Sequence, residues 1–82
     1  MVFAYILCKI DTDNEETLLK TILTYSGVRC VSLTYGIYDL CIEARVDTLE
    51  DLDYLVFNAI RKIPDITQTT TIITSRMMRV SS

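Results

Sequence analysis

The chain contains no histidine and no tryptophan, one proline and two glycines. Histidine is the usual base near neutral pH and a common metal ligand, so its absence argues against both kinds of site. The three cysteines, Cys8, Cys30 and Cys41, are odd in number and form no C-x-x-C pair, which disfavours a metal ribbon or a redox motif. Each lies in an apolar, strand-like run and is read as a small buried hydrophobe. No apolar run approaches the ~20 residues that span a bilayer. Met1–Leu7 is too short for a signal peptide and is followed by Lys9 and Asp11, so a cytoplasmic location without membrane contact is expected. Basic charge is scarce as well: 8 Lys and Arg stand against 11 Asp and Glu, a net charge of −3. A nucleic-acid binder needs a basic face for phosphate, and Arg76 and Arg79 alone do not make one. No direct nucleic-acid partner is therefore expected.

What the sequence does have is apolar residues, half of its 82. That length predicts one domain over residues 1–82. A core this small supplies only ~3–5 kcal/mol without a staple or a partner.

The pattern along the chain is regular. Val2–Ile10 reads as a strand with Ala4, Ile6, Cys8 and Ile10 on one face and Phe3, Tyr5 and Leu7 on the other. Both faces are apolar, which predicts burial on two sides. Asp11–Asn14 is a polar break in which Asp13 with Glu16, or Thr12 with Glu15, has capping-box spacing. A helix is predicted to about Tyr25, with Leu18, Leu19, Ile22, Leu23 and Tyr25 as its stripe and Glu16–Lys20 as an outer pair. Gly27 stops it. Val28–Tyr35 and Asp39–Arg45 read as strands joined through Gly36-Ile37-Tyr38. Asp47 with Glu50 repeats the cap spacing, and Leu49, Leu52, Val56, Ala59, Ile60 and Ile63 mark a second helix that Pro64 ends. Ile66–Thr74 is rich in β-branched residues and closes the order as a strand. Residues 76–82 are expected to be a tail or a short extra strand.

The order βαββαβ predicts an α+β, ferredoxin-like fold: a four-stranded antiparallel sheet with two helices on one face, of the dimeric sandwich or barrel type. Two helices cover one sheet face only. Leaving even ~400 Å² of the other wet would forgo roughly 10 kcal/mol. A second copy stacked there removes that cost, and a two-fold dimer is the commonest solution.

Several motifs then fall in order: Ala4-Tyr5-Ile6-Leu7, Gly27-Val28, Gly36-Ile37-Tyr38-Asp39-Leu40, Ile60-Arg61-Lys62-Ile63-Pro64-Asp65-Ile66, and Thr69, Thr71 and Ile73 at alternate positions. Over about residues 2–75 the chain resembles the effector-binding (RAM) domain of the Lrp/AsnC transcriptional regulators. Two departures stand out. The chain begins at this module, whereas family regulators carry a helix-turn-helix domain before it. Asp65 stands where the family usually has glycine.

The resemblance implies a module that senses a small effector, an amino acid, without a cofactor. It implies dimers that close into a ring, an octamer being common, and co-assembly with full-length regulators. The candidate ligand residues are Tyr35, Gly36, Tyr38 and Asp39 in the hairpin and Thr69 and Thr71 on the last strand. A glycine lets backbone N–H groups approach a carboxylate, Asp39 can accept from an ammonium, and the tyrosines can wall a pocket. The same residues also suit a turn, local packing and a good strand. Two alternatives therefore stand beside sensing: a purely structural oligomerisation protein, and a small dimeric α+β barrel enzyme, which the missing histidine and tryptophan disfavour.

Overall fold

A computed structural model describes residues 1–80. The elements are β1 (Val2–Ile10), α1 (Glu15–Leu23), β2 (Val28–Leu33), β3 (Leu40–Val46), α2 (Leu49–Tyr54) and β4 (Ile66–Ile73). A π-helical turn, Leu55–Ala59, and a 3-10 turn, Ile60–Lys62, continue α2. The four strands form one antiparallel sheet in the order β2-β3-β1-β4. This is the ferredoxin-like α+β arrangement that the element order predicts.

The core lies between the sheet and the helices. Alternation puts Ala4, Ile6 and Cys8 of β1 and Leu40, Ile42 and Ala44 of β3 on the covered face, all of them buried. Leu18 and Ile22 come down from α1, and Leu52, Leu55, Val56 and Ile60 from the second helical stretch.

The helix ends differ from the sequence reading. Asn14, not Asp13 or Thr12, caps α1: its Oδ1 accepts from the Thr17 N–H at 3.1 Å. Thr12 instead accepts from the Asn14 N–H, holding the turn one residue earlier. The helix stops at Leu23 rather than Tyr25, and Leu23 is exposed. Thr48, not Asp47, caps α2, because its extended backbone aims Oγ1 at the Asp51 N–H, 3.1 Å away. Lys20 pairs with Glu16 as expected, at 3.1 Å. That pair is open to water and contributes little.

The second helical stretch is not one regular α-helix. Leu55, at the start of the π turn, is buried with Leu52, Val56 and Ile60. It stands three residues after Leu52, on the same i, i+3, i+4 face, and the predicted stripe omits it. Leu49, which the period includes, is exposed. The stretch ends at Lys62, and Ile63 is already extended ahead of Pro64.

The uncovered sheet face is less apolar than the sequence suggests. A register shift between Val28 and Cys30 turns β2 so that Val31 and Leu33 pair with Ile42 and Leu40 on the helix side. To the open side β2 contributes Cys30 and Ser32. The open face is therefore a strip of Phe3, Tyr5, Leu7 and Ile72 edged by Lys9, Glu43, Arg45 and Gln68. The Arg45 guanidinium lies 5.3 Å from the Phe3 ring centre, a cation–π arrangement. Only Cys8 is a fully buried thiol; Cys41 is half-buried and Cys30 exposed, because both sit on this open side. Burial, with a smaller contribution from Cys41, pushes the Cys8 thiol up to about 12. Burial first, then Cys30 and Glu43, raises Cys41 too. Neither raised thiol is an activated nucleophile. Residues 75–80 form no strand.

Both glycines have positive φ, at 93° for Gly27 and 115° for Gly36. A Cβ on Gly27 would lie 2.7 Å from Val46 Cγ1, whereas one on Gly36 would meet nothing within 4 Å. Gly36→Ala is expected to cost about 1–3 kcal/mol of backbone strain, and Gly27→Ala roughly 1 kcal/mol more for overlap with Val46. Denaturant titration of both variants measures the difference. Equal losses would contradict a packing role for Gly27.

Candidate functional site

The β2–β3 connection, residues 34–39, is a loop rather than a two-residue turn. The Thr34 N–H donates to the Asp39 carbonyl at 2.9 Å, and Thr34 Oγ1 donates to the Tyr38 carbonyl at 2.8 Å. These bonds close the loop and leave Tyr35 and Ile37 projecting into water.

Asp39 is anchored at the end of the β1–β3 ladder. Its N–H donates to the Cys8 carbonyl at 2.9 Å, and its carboxylate Oδ2 accepts from the Ile10 N–H at 3.0 Å. The register of β1 against β4 shifts between Lys9 and Ile10. The Asp39 side chain supplies the acceptor for the amide at that shift.

A hollow of about 530 Å³ opens beside this anchor, lined by Ile10, Asp11, Glu15, Leu33, Tyr35 and Asp39 among others. It brings three carboxylates together with an apolar floor and an aromatic rim, and no lysine or arginine lines it. Such a site can receive an ammonium group. A ligand carboxylate would have to be met by backbone N–H groups of the loop or by another subunit.

The six residues singled out from the sequence separate into three places. Tyr35 and Asp39 line this hollow, and Gly36 adjoins it in the loop. Tyr38 turns to the open sheet face, where its hydroxyl lies 2.9 Å from Thr70 Oγ1. Thr69 and Thr71 pair with Cys8 and Ile6, which places them on the helix side of the edge strand β4. Thr69 lines a smaller hollow of about 260 Å³ with Arg61, Thr67 and Gln68, and Thr71 is exposed. Within one protomer, then, neither Tyr38 nor the two threonines belong to the hairpin hollow. The alternation of side chains across a sheet separates them.

The sequence reading missed Asp11, Thr12 and Glu15, which it took as a polar break and a cap. The topology brings that β1–α1 turn against the hairpin, and the only sequence signal was the density of acidic residues there. A second hollow of about 500 Å³ lies at the other end of the sheet, between the α1–β2 turn, the end of β3 and α2. Among the described residues no group of His, Cys, Asp or Glu is arranged to hold a metal, and no helix is long and apolar enough to cross a membrane.

The fold defines an α+β module of the ferredoxin-like class. The chain belongs to the Lrp/AsnC ligand-binding domain family, whose model matches residues 3–80. It is similar to the solved structure of FFRP-DM1, with 36% identity, a TM-score of 0.83, and coverage of 90% of this chain and 99% of that one. A hypothetical protein from Pyrococcus horikoshii is 35% identical, with a TM-score of 0.84 and coverage of 94% of this chain and 93% of its own. A transcriptional regulator from Neisseria meningitidis, solved as a complex with L-Met, shares the fold at a TM-score of 0.87 and 11% identity. It is matched over 99% of this chain and 54% of its own. A search of curated proteins returned no match.

Proposed function

We propose that this chain is a non-enzymatic sensing module that binds an amino acid in the hairpin hollow and self-assembles through its open sheet face. The observation that carries the sensing half is the hollow itself. It places Tyr35 and Asp39 beside Asp11 and Glu15 in one concave site within a ligand-binding family. The L-Met complex of the Neisseria regulator supports the ligand class. Assembly rests on the strip of Phe3, Tyr5, Leu7 and Ile72, which no part of the described chain buries. A dimer by sheet stacking, closure of dimers into an octameric ring, and co-assembly with full-length Lrp/AsnC regulators follow from the same reading. In such an assembly Thr69 and Thr71 on the β4 edge could complete a neighbour's site.

Calorimetric titration with the twenty common amino acids tests the sensing half. Heat is expected with at least one, and Asp39→Asn is expected to weaken that binding about tenfold or more, since a charge-assisted hydrogen bond contributes ~1.5–3 kcal/mol. The absence of heat with all twenty would sink it.

A second reading, a purely structural assembly module, is favoured by one fact. The Asp39 carboxylate is already engaged by the Ile10 amide. Under that reading oligomers form and no titration gives heat.

A further inference from the structure

The hairpin hollow carries more negative charge than a neutral amino acid can answer. We infer that its ligand is an aliphatic dication, a chain of methylene groups with a cationic group at each end. The inference rests on the hairpin hollow being the sensing site proposed above, and it narrows the ligand class of that site.

Three of the lining side chains are carboxylates: Asp11 from the β1–α1 turn, Glu15 at the start of α1 and Asp39 from the hairpin. Asp11 also lines an adjoining hollow of about 350 Å³ with Asp13 and Asp65. Five of the chain's 11 acidic side chains, Asp11, Asp13, Glu15, Asp39 and Asp65, thus line two hollows that share a wall. No lysine or arginine lines either of them. Lys9 is next to the site in sequence, but it pairs with Gln68 of β4 and alternates to the open sheet face. Lys20, further along α1, is tied to Glu16. Neither Asp11 nor Glu15 forms an ion pair among the described residues. Charges of one sign lining a concavity add their fields. The hollow therefore attracts cations and disfavours a carboxylate. A neutral amino acid brings one charge of each sign and leaves two of the three lining acids unanswered.

Between the acids the surface is apolar. Ile10 is half-buried and Leu33 is 48% exposed. A methylene chain laid over both removes apolar surface from water while its charged ends stay at the acids. Tyr35 offers a ring face to a cation at the rim. At about 530 Å³ the hollow falls in the ~300–1,000 Å³ range of small-molecule sites. The acids divide the work. The Ile10 amide holds Asp39 through Oδ2 at 3.0 Å, so Asp39 is the fixed acceptor for one end. Asp11 and Glu15, both exposed, receive the other.

Two kinds of small molecule carry this chemistry. A basic amino acid has it together with a carboxylate, and a diamine has it without one. Calorimetric titration of the unaltered protein with L-lysine, 1,5-diaminopentane and L-norleucine separates them, since norleucine keeps the chain and lacks the second cation. At least one dication is expected to bind tenfold or more tighter than norleucine. Tighter binding of diaminopentane assigns the site to a diamine, and tighter binding of lysine assigns it to a basic amino acid. Asp11→Asn with Glu15→Gln is expected to lower the dication-to-norleucine affinity ratio at least fivefold, with unchanged circular dichroism. Norleucine or another neutral amino acid binding as tightly as both dications would overturn the dication class and leave sensing in place. A ratio that survives the double substitution would overturn it as well, because the second cation then sits elsewhere. No heat with these three ligands or with any of the twenty common amino acids would bring down the sensing reading itself.

Discussion

Ile42→Ala is expected to lose about 2–5 kcal/mol of stability, which is most or all of what a core this size provides. Ile42 is fully buried at the middle of β3, paired with Ile6 on one side and Val31 on the other. Strands hold it from both sides, so the backbone cannot collapse readily into the space left by the lost carbons. Leu49→Ala is the matched control. Leu49 is 56% exposed at the start of α2, and its loss should stay below about 1 kcal/mol. Urea titrations at equal protomer concentration compare the two, since association adds to apparent stability. Equal losses would mean that the core does not lie between the sheet and the helices.

Leu7→Lys is expected to dissociate the proposed assembly while leaving the protomer folded. Leu7 points to the open face between Cys41 of β3 and Thr70 of β4. In a lone protomer a lysine there has its ammonium in water. Against a stacked second sheet the same ammonium is buried without a partner, at a cost of several kcal/mol, so the dissociation constant should rise a hundredfold or more. Sedimentation equilibrium with circular dichroism on the same samples reads both properties. An unchanged mass distribution would remove the open face from the assembly.

Alternation in β1 and β3 was legible because each face of a strand takes every second residue: Ile6 shares a face with Ala4 and Cys8, and Ile42 with Leu40 and Ala44, as predicted, and the structure shows that the helices cover these faces. The order of elements and the hairpin were legible for the same reason. Tyr38 was not. Its neighbours Gly36 and Asp39 suggest one site, but the loop sends its ring across the sheet to Thr70. The identity of the caps also escaped, since Asp13, Asn14, Asp47 and Thr48 all suit an N-cap and only backbone direction chooses among them. Leu55 was legible in principle, standing three residues after Leu52 on the apolar face, but the stripe was drawn without it. The acidic wall of the hairpin hollow comes from the β1–α1 turn, separated from the hairpin by α1 and β2, and no local pattern links the two.

The clasp of Asp39 on the Ile10 amide joins the rim of the hairpin hollow to β1, one of the two inner strands of the sheet. A guest that recruits that carboxylate must share it with the amide or take it away. Under the proposed sensing function, occupancy of the hollow and the tightness of the seam between the two inner strands would then rise and fall together.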